Sequence, residues 1–222
     1  MGVTDNMQGK KWVLFILAGI LLLGMGNTAL ASAGDSSGAG GKKYLSYDFV
    51  GDPSEGLAYF CNVFGDGLCG FIDMDGNVVV EAQYDDLYSF AEGLAPVSRD
   101  GKWGFIDSGG HVVVPLIYED AAEEFSEGLA AVFRDDKWGY VDKTGKEVIP
   151  FLYEDAQPFG EGLAPVRVGD LYGFINQAGE MVIEPQFEDA YPFADGLAPV
   201  MQDGYWGYID RSGHVVVPFQ YD

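Results

Sequence analysis

The 222-residue chain has little positive charge: 12 lysines and arginines stand against 35 aspartates and glutamates, which gives a net charge of −23. An acidic surface repels the phosphate backbones of nucleic acids and also anionic membrane surfaces. We therefore expect neither DNA nor RNA nor such a membrane as a partner. The same acids are compatible with weak binding of divalent cations such as calcium.

The sequence also lacks the motifs that carry catalysis. It contains no glycine-rich phosphate loop, no Gly-x-Ser-x-Gly turn and no zinc-binding pattern, and it has only two histidines. We therefore expect a protein that is not an enzyme and that has no resident cofactor.

No apolar run is long enough for an ordinary membrane-spanning helix. The longest extends from Trp12 to Leu23, twelve residues, whereas a spanning helix needs about 20. Lys10 and Lys11 precede this run, and small residues up to Ala33 follow it, which is typical of a secretory signal peptide. We interpret residues 1–33 as that signal, with an uncleaved anchor as the alternative. The sequence thus predicts export to the periplasm, the envelope or the exterior, with no membrane attachment after cleavage.

Residues 34–46 begin with GDSSGAGG, a composition typical of a flexible linker. The remainder, residues 47–222, forms the predicted domain.

One string recurs along this domain. The sequence Glu-Gly-Leu-Ala, or Asp-Gly-Leu-Ala in the last copy, places equivalent glycines at Gly56, Gly93, Gly128, Gly162 and Gly196. A second site has the same spacing and consists of Cys69-Gly70, Trp103-Gly104, Trp138-Gly139, Tyr172-Gly173 and Trp206-Gly207. The domain therefore contains five tandem units of about 34 residues.

Each unit has the pattern of a three-stranded antiparallel meander. Asp100-Gly101 is typical of a two-residue hairpin loop, and Asp107 to Gly110 of a type I turn closed by a left-handed glycine. A valine-rich run follows and ends in proline, which favours an edge strand. The connector to the next unit has room for a single helical turn at most, for example in EDAAEEF.

Three strands in so few residues cannot bury a core alone, so neighbouring units must pack together. We predict an all-β, open, twisted array, with a five-bladed β-propeller as the alternative. Phenylalanines at one fixed phase are expected to fill the seams between units: Phe90, Phe125, Phe159 and Phe193. The glycine after each tryptophan would let an aromatic ring lie flat on the backbone.

The units resemble the WG repeats, also called KWG repeats, a bacterial β-rich tandem-repeat family named for the Trp-Gly pair. The resemblance covers residues 47–222, and it weakens at Cys69 in the first unit and Tyr172 in the fourth, where tryptophan is replaced. It implies a β-array in multi-repeat proteins and supplies no catalytic residues.

Cys61 and Cys69 are the only cysteines. In the second unit the equivalent residues, Ser98 and Trp103, lie opposite each other across the hairpin loop. Such a non-hydrogen-bonded pair has Cα atoms about 4.5 Å apart, within the disulfide range. In an exported protein we therefore predict a disulfide.

The remaining candidate site residues favour structural roles. Acidic pairs recur in the connectors, as in Glu154-Asp155, and their repetition indicates turn and cap chemistry instead of a glycosidase pair. His111 and His214 follow the same turn three units apart, where they need not converge. Asp73 to Asn77 is similar to a calcium loop, but Gly76 is in the fourth position instead of the sixth.

These observations lead to two functional hypotheses. The first is an exported, non-enzymatic repeat module that binds a protein or an envelope polymer through its extended β surface. The second is a glycan-binding or glycan-degrading protein, with Tyr88, Tyr191 and Tyr205 as exposed platforms.

Overall fold

A computed structural model describes residue 47 and residues 49–62 and 65–221. The predicted signal peptide and the whole of the predicted linker lie outside these residues. Leu45–Asp222 is a compact unit of its own. None of its described residues is helical, so none belongs to a helix that could cross a membrane.

The described chain is built from five four-stranded antiparallel sheets, one in each unit. Unit 1 contains β1 (Phe49–Val50), β2 (Leu57–Cys61), β3 (Cys69–Asp73) and β4 (Val78–Tyr84). Unit 2 contains β5 (Asp86–Leu87), β6 (Leu94–Arg99), β7 (Lys102–Asp107) and β8 (Val112–Tyr118). Unit 3 contains β9 (Asp120–Ala121), β10 (Leu129–Arg134), β11 (Lys137–Asp142) and β12 (Glu147–Tyr153). Unit 4 contains β13 (Asp155–Ala156), β14 (Leu163–Val168), β15 (Leu171–Asn176) and β16 (Met181–Phe187). Unit 5 contains β17 (Asp189–Ala190), β18 (Leu197–Gln202), β19 (Tyr205–Asp210) and β20 (Val215–Tyr221).

The expected three-stranded meander is present in every unit, and a short fourth strand extends it. This strand comes from the connector: in unit 3, Asp120 and Ala121 pair with Phe133 and Val132. The helical turn considered for EDAAEEF is therefore absent from this described segment. The carboxylate of Asp120 accepts a hydrogen bond from the Ala121 N–H at 2.8 Å, which holds the segment extended instead.

The predicted turns are confirmed by the backbone. Asp100 and Gly101 have φ values of 53° and 70°, as a two-residue hairpin loop requires. In the second turn, Gly110 has φ of 81°, and the Asp107 carboxylate accepts hydrogen bonds from the N–H groups of Gly109 and His111, both at 2.9 Å. Each turn is thus specified by its own residues.

The glycine of the Trp-Gly pair has a different role from the one predicted. In β7 and β8, Trp103 pairs with Tyr118 and Phe105 pairs with Val114, so the outer strand bulges opposite Gly104. A Cβ on Gly104 would lie 2.5 Å from the Val114 carbonyl oxygen and 2.8 Å from the Leu116 nitrogen. The glycine therefore makes room for the neighbouring strand's backbone, where an aromatic ring was expected.

The core lies in the seams between units. The forward face of a unit is the side that packs on the following unit, and its rear face is the side that packs on the preceding unit. Within the described chain the five units form four such seams. In the seam between units 4 and 5, the forward face supplies Phe174, Ile183 and Phe187, and the rear face supplies Val200 and Ile209; all five are buried. Equivalent clusters occupy the other three seams.

The predicted seam-filling phenylalanines are confirmed. Each is buried and packs against an aromatic ring of the preceding unit, with centroids 4.7–5.0 Å apart. The pairs are Phe71–Phe90, Phe105–Phe125, Tyr140–Phe159 and Phe174–Phe193. Each aromatic pair thus joins two successive sheets.

The array is open. The seam clusters join only successive units, and the fifth described cluster, around Phe60 and Ile72, belongs to unit 1 alone. At the other end, Tyr208 and Tyr221 are exposed, although their equivalents inside the array are buried. The open array is therefore confirmed over the five-bladed propeller.

Candidate interaction surface

The repeat-defining aromatic residues occupy one transverse row in each sheet. In unit 2 this row consists of Asp86, Ser98, Trp103 and Tyr118, which pair directly across four strands. Directly paired residues project their side chains to the same face of a sheet. The tryptophan therefore lies on the forward face, between an acid at one edge and an aromatic residue at the other.

Two of the tryptophans pack against connector tyrosines. Trp103 stacks on Tyr88, with centroids 5.6 Å apart, and Trp206 lies 5.4 Å from Tyr191. Burial raises the pKa of Tyr88 to about 12, and the negative charge of Glu123 adds to the increase. Tyr88 is therefore a packed ring, whereas Tyr191 and Tyr205 are half-exposed.

Tyr172 replaces the tryptophan in unit 4 and has a polar partner. Its hydroxyl donates a hydrogen bond to the carboxylate of Asp155 across the intervening Arg167. Burial, followed by this hydrogen bond, raises the pKa of Tyr172 well above its ordinary value. In this unit the residue at the tryptophan position is thus hydrogen-bonded to the acid at the edge of its own row.

The acidic pairs of the connectors have structural roles, as their repetition predicted. The second acid of each pair accepts a hydrogen bond from the next N–H at 2.8–2.9 Å; these acids are Asp86, Asp120, Asp155 and Asp189. The first acid reaches the hairpin loop: Glu154 accepts a hydrogen bond from the Gly169 N–H at 3.1 Å, and its ion pair with Lys137 at 2.6 Å lowers its pKa.

One of these acids, Asp120, is affected by its equivalent across a seam. Burial raises the pKa of Asp120, and the negative charge of Asp155 in the following unit adds to it. The equivalent acids Asp86, Asp120, Asp155 and Asp189 each begin the short first strand of their unit.

The acids of the repeated Glu-Gly-Leu-Ala string link one unit to the next. The carboxylate of Glu127 accepts a hydrogen bond from the N–H of Gly162, 35 residues later, at 2.9 and 3.1 Å from its two oxygens. The same bond joins Glu55 to Gly93, Glu92 to Gly128 and Glu161 to Gly196. Sequence reasoning missed this role, although the bonded residues are separated by only one residue more than the spacing between successive strings.

The calcium-loop candidate and the histidines belong to ordinary turns. The Asp73 carboxylate accepts hydrogen bonds from Asp75 and Asn77, and the Asn77 bonds are the main cause of its lowered pKa. His111 and His214 are highly exposed and lie next to the turn acids Asp107 and Asp210. Within the described part of the chain, no three His, Cys, Asp or Glu side chains form a group that could hold a metal ion.

The predicted disulfide is present in unit 1. Cys61 and Cys69 pair directly across β2 and β3, with Cα atoms 4.1 Å apart and a bond between their sulfurs. Cys69 occupies the tryptophan position, so a covalent link replaces the ring there. The disulfide is compatible with an oxidising, exported environment.

The outer strands present a repeated apolar edge. Each pairs with only one neighbour, and at its second position it exposes a valine in four of the five units: Val79, Val148, Val182 and Val216. An edge strand has unpaired main-chain donors and acceptors that another strand can use. Prolines stand in several of these edges, such as Pro115 at the bulge, and they limit uncontrolled pairing.

Comparison with known protein structures finds distant likenesses. A crystal structure of a eukaryotic initiation factor aligns with 13% identity over 69% of this chain and 50% of its own, with a TM-score of 0.49. KlHsv2 with loop 6CD replaced by a Gly-Ser linker aligns with 10% identity over 70% of this chain and 61% of its own, with a TM-score of 0.47. A Bacteroides caccae protein of unknown function aligns with 14% identity over 79% of this chain and 82% of its own, with a TM-score of 0.38. The chain thus spans less than two thirds of the first two, and these scores support no further conclusion.

Sequence comparison is more informative. No curated protein sequence matches the chain. The family described as WG containing repeat matches five consecutive segments, residues 70–103, 103–138, 138–172, 172–206 and 206–222. The boundaries fall on the Trp-Gly sites that define the units, and the matched segments cover more than half of the chain. The chain therefore belongs to the family of WG-repeat proteins.

Proposed function

We propose that this protein is an exported, non-enzymatic repeat module that binds a protein partner or a cell-envelope polymer through its extended β surface. The observation that carries the proposal is the outer edge, where the same exposed apolar position recurs from unit to unit. A partner strand that pairs with such an edge obtains main-chain hydrogen bonds from it and contacts with its side chains.

The acidic surface adds selectivity. A chain with a net charge of −23 repels acidic partners at long range and attracts basic ones. A partner with basic residues around an apolar, extended segment fits both features. Neither nucleic acid nor an anionic membrane fits the charge.

The apolar edge is tested by a pull-down with the repeat domain as bait against the exported fraction of the source cells. The test variant carries Val148→Lys and Val182→Lys, which place a charge on two outer strands. Its matched control carries Val168→Lys and Leu171→Lys, two exposed apolar residues that flank a hairpin loop in unit 4.

We expect partners that bind the wild type and the control domain but are lost from the outer-strand variant. Equal capture by all three domains would contradict the assignment to this edge. If none of the three captured anything, the binding function itself would be contradicted.

Glycan binding is the second candidate, and the half-exposed Tyr191 and Tyr205 favour it. Tyr191 lies against Trp206, and exposed aromatic rings offer flat apolar faces to sugars. On a glycan array this candidate predicts binding that is lost in the Tyr191→Ala and Tyr205→Ala variants. An array without hits would remove it.

We propose no resident cofactor, and only weak calcium binding through the turn acids. The Asp73 carboxylate is already engaged by its own turn, so a cation would compete with those hydrogen bonds. A thermal-shift measurement with calcium and with chelator tests this; we expect a small stabilisation at millimolar calcium, and equal melting temperatures would contradict it.

A further inference from the structure

The two ends of the array carry the two halves of one seam. Inside the chain the seam is built four times from equivalent positions. Between units 4 and 5, Phe174 and Phe187 on the forward face are 0% and 2% exposed, because unit 5 covers them. Each half of this seam has an equivalent at one end of the array.

The forward face of unit 5 is uncovered. Tyr208 and Tyr221 occupy the positions of Phe174 and Phe187, and they are 39% and 50% exposed. Val217, at the position of Ile183, pairs directly with Tyr208 and is partly exposed. Terminal repeats of soluble arrays ordinarily carry a polar outer face, whereas this end keeps the apolar residues of an internal seam.

The rear face of unit 1 has part of the complementary set, with Pro53 at the position where each later unit supplies its seam phenylalanine. Phe60 and Ile72 occupy the positions of Val200 and Ile209 in unit 5. Next to them, Val50 is 47% exposed, whereas its equivalent in unit 2, Leu87, is only 4% exposed. The face therefore has residues of an internal seam, but Phe60 and Ile72 are themselves only 2% and 8% exposed, because Tyr47 is among the residues packed against them.

Tyr47 partly covers this rear face. Its ring lies 4.1 Å from that of Phe60, between centroids, and its position corresponds to Tyr84, the last residue of an outer strand. Its hydroxyl is buried and has no hydrogen-bond partner among the described residues, which indicates an imperfect fit. Tyr221 ends the outer strand of unit 5 at the same phase, so the Tyr221 ring of an arriving copy can replace that of Tyr47.

The hydrogen bond between units also has one half at each end. Gly56 in unit 1 is equivalent to the glycines of the later units. In each later unit, the N–H of that glycine donates a hydrogen bond to the acid of the preceding unit. Asp195 occupies the acid position in unit 5, one methylene shorter than glutamate, with the same left-handed backbone (φ of 51°) as Glu127 (53°). The array thus has the acid at one end and the equivalent donor at the other.

We propose that the forward face of unit 5 docks on the rear face of unit 1 of a second copy, so that the chains associate head to tail. A second copy is the occupant because Phe60, Ile72 and the Gly56 N–H on its rear face are equivalent to Val200, Ile209 and the Gly196 N–H, which meet this kind of face within the chain. The contact is heterologous: each copy keeps one free face, and assembly can continue.

The net negative charge of the chain opposes this association, and it makes the association depend on salt concentration. Two chains with a net charge of −23 repel each other, and salt screens that repulsion, with a Debye length of about 10 Å at 0.1 M. Association driven by the apolar faces therefore strengthens as salt is added.

The test is sedimentation velocity of the repeat domain, residues 45–222, from micromolar to millimolar concentration at low and high salt. All five described core clusters lie within this domain. Two variants each block one face: Tyr208→Glu blocks the forward face and Val50→Glu blocks the rear face. Both positions are exposed, and circular dichroism checks that each variant folds.

We expect the wild type to form dimers and longer species as concentration and salt increase, and each variant alone to remain monomeric. An equimolar mixture of the two variants is expected to form dimers and nothing larger, because it contains one intact forward face and one intact rear face per pair. A wild type that stays monomeric throughout, or a mixture that does not associate, would overturn the proposal. Dimers of the Val50→Glu variant alone would also overturn it, because they would show two forward faces packing on each other.

Discussion

The carboxylate of Glu127 accepts a hydrogen bond from the N–H of Gly162, 35 residues later and in the next unit, at 2.9 and 3.1 Å. Because four successive seams contain this bond, the acid of the Glu-Gly-Leu-Ala string helps to set the position of each sheet on its neighbour. The string recurs at the period of the repeat because it joins one repeat to the next.

Replacing Glu127 with alanine removes this bond, and we expect the free energy of unfolding to fall by about 0.5–1.5 kcal/mol. Asp195→Ala is the matched control, because Asp195 has the same left-handed φ but no described unit follows it. Urea unfolding followed by tryptophan fluorescence measures both. An equal loss of stability in the two variants would show that the backbone, and not the bond, is responsible.

Gly104→Ala is expected to be severely destabilising, because the new methyl group would meet the backbone of the outer strand at 2.5–2.8 Å. Overpacking of this kind costs about 1–3 kcal/mol, and a backbone cannot rotate away as a side chain can. Gly109→Ala in the same unit is the control, since its methyl group would meet the flexible, exposed His111 ring at 3.2 Å. Similar melting temperatures for the two variants would contradict the role assigned to Gly104.

Reduction of the Cys61–Cys69 disulfide is expected to loosen unit 1 selectively. The bond closes a loop with a sequence separation of 8, and the chain-entropy relation assigns such a loop about 2.5 kcal/mol. Hydrogen exchange should therefore accelerate in β2 and β3 and remain unchanged in unit 4. Uniform acceleration across the five units would instead indicate that they unfold together.

Acid is expected to weaken the turns that Asp142 and its equivalents hold together. Hydrogen bonds from Thr144 lower the pKa of Asp142, so its contribution is complete above the unfolded-state pKa of about 4. As pH falls through the lower, folded-state pKa, the carboxylate takes up a proton and that contribution is lost.

In melting curves between pH 7 and pH 2.5 we therefore expect a stable plateau followed by a decline below about pH 4. Asp142→Asn should decline less, because Asn176 already accepts the same two N–H bonds in unit 4. A decline that began near neutral pH, or an unchanged profile in the variant, would count against these turns as its cause.

The parts of the fold that depend on local sequence were predictable. Asp100-Gly101 and the turn from Asp107 to Gly110 specify their own backbone, and the phase of Phe90 and its equivalents indicates a seam. Cys61 and Cys69 could be paired from the register of a neighbouring unit. These features need only the pattern of one unit and its repetition.

Other features depend on contacts that no local pattern reveals. The strand formed by Asp120 and Ala121 is too short to show alternation, so its connector was compatible with a helical turn. The role of Gly104 depends on a bulge in the adjacent strand, and that of Glu127 on a partner in the next unit. Each requires knowing how two separate segments face each other.

The units gain their order by stacking on their neighbours. Unfolding of a truncation series tests this dependence most directly. Domains of one to five units, cut after the outer strands that end at Tyr84, Tyr118, Tyr153, Phe187 and Tyr221, would be unfolded in urea. We predict that one unit alone is unfolded and that the midpoint rises with each added seam, as in other linear arrays. A single unit that folds by itself with the same midpoint as five would contradict the claim.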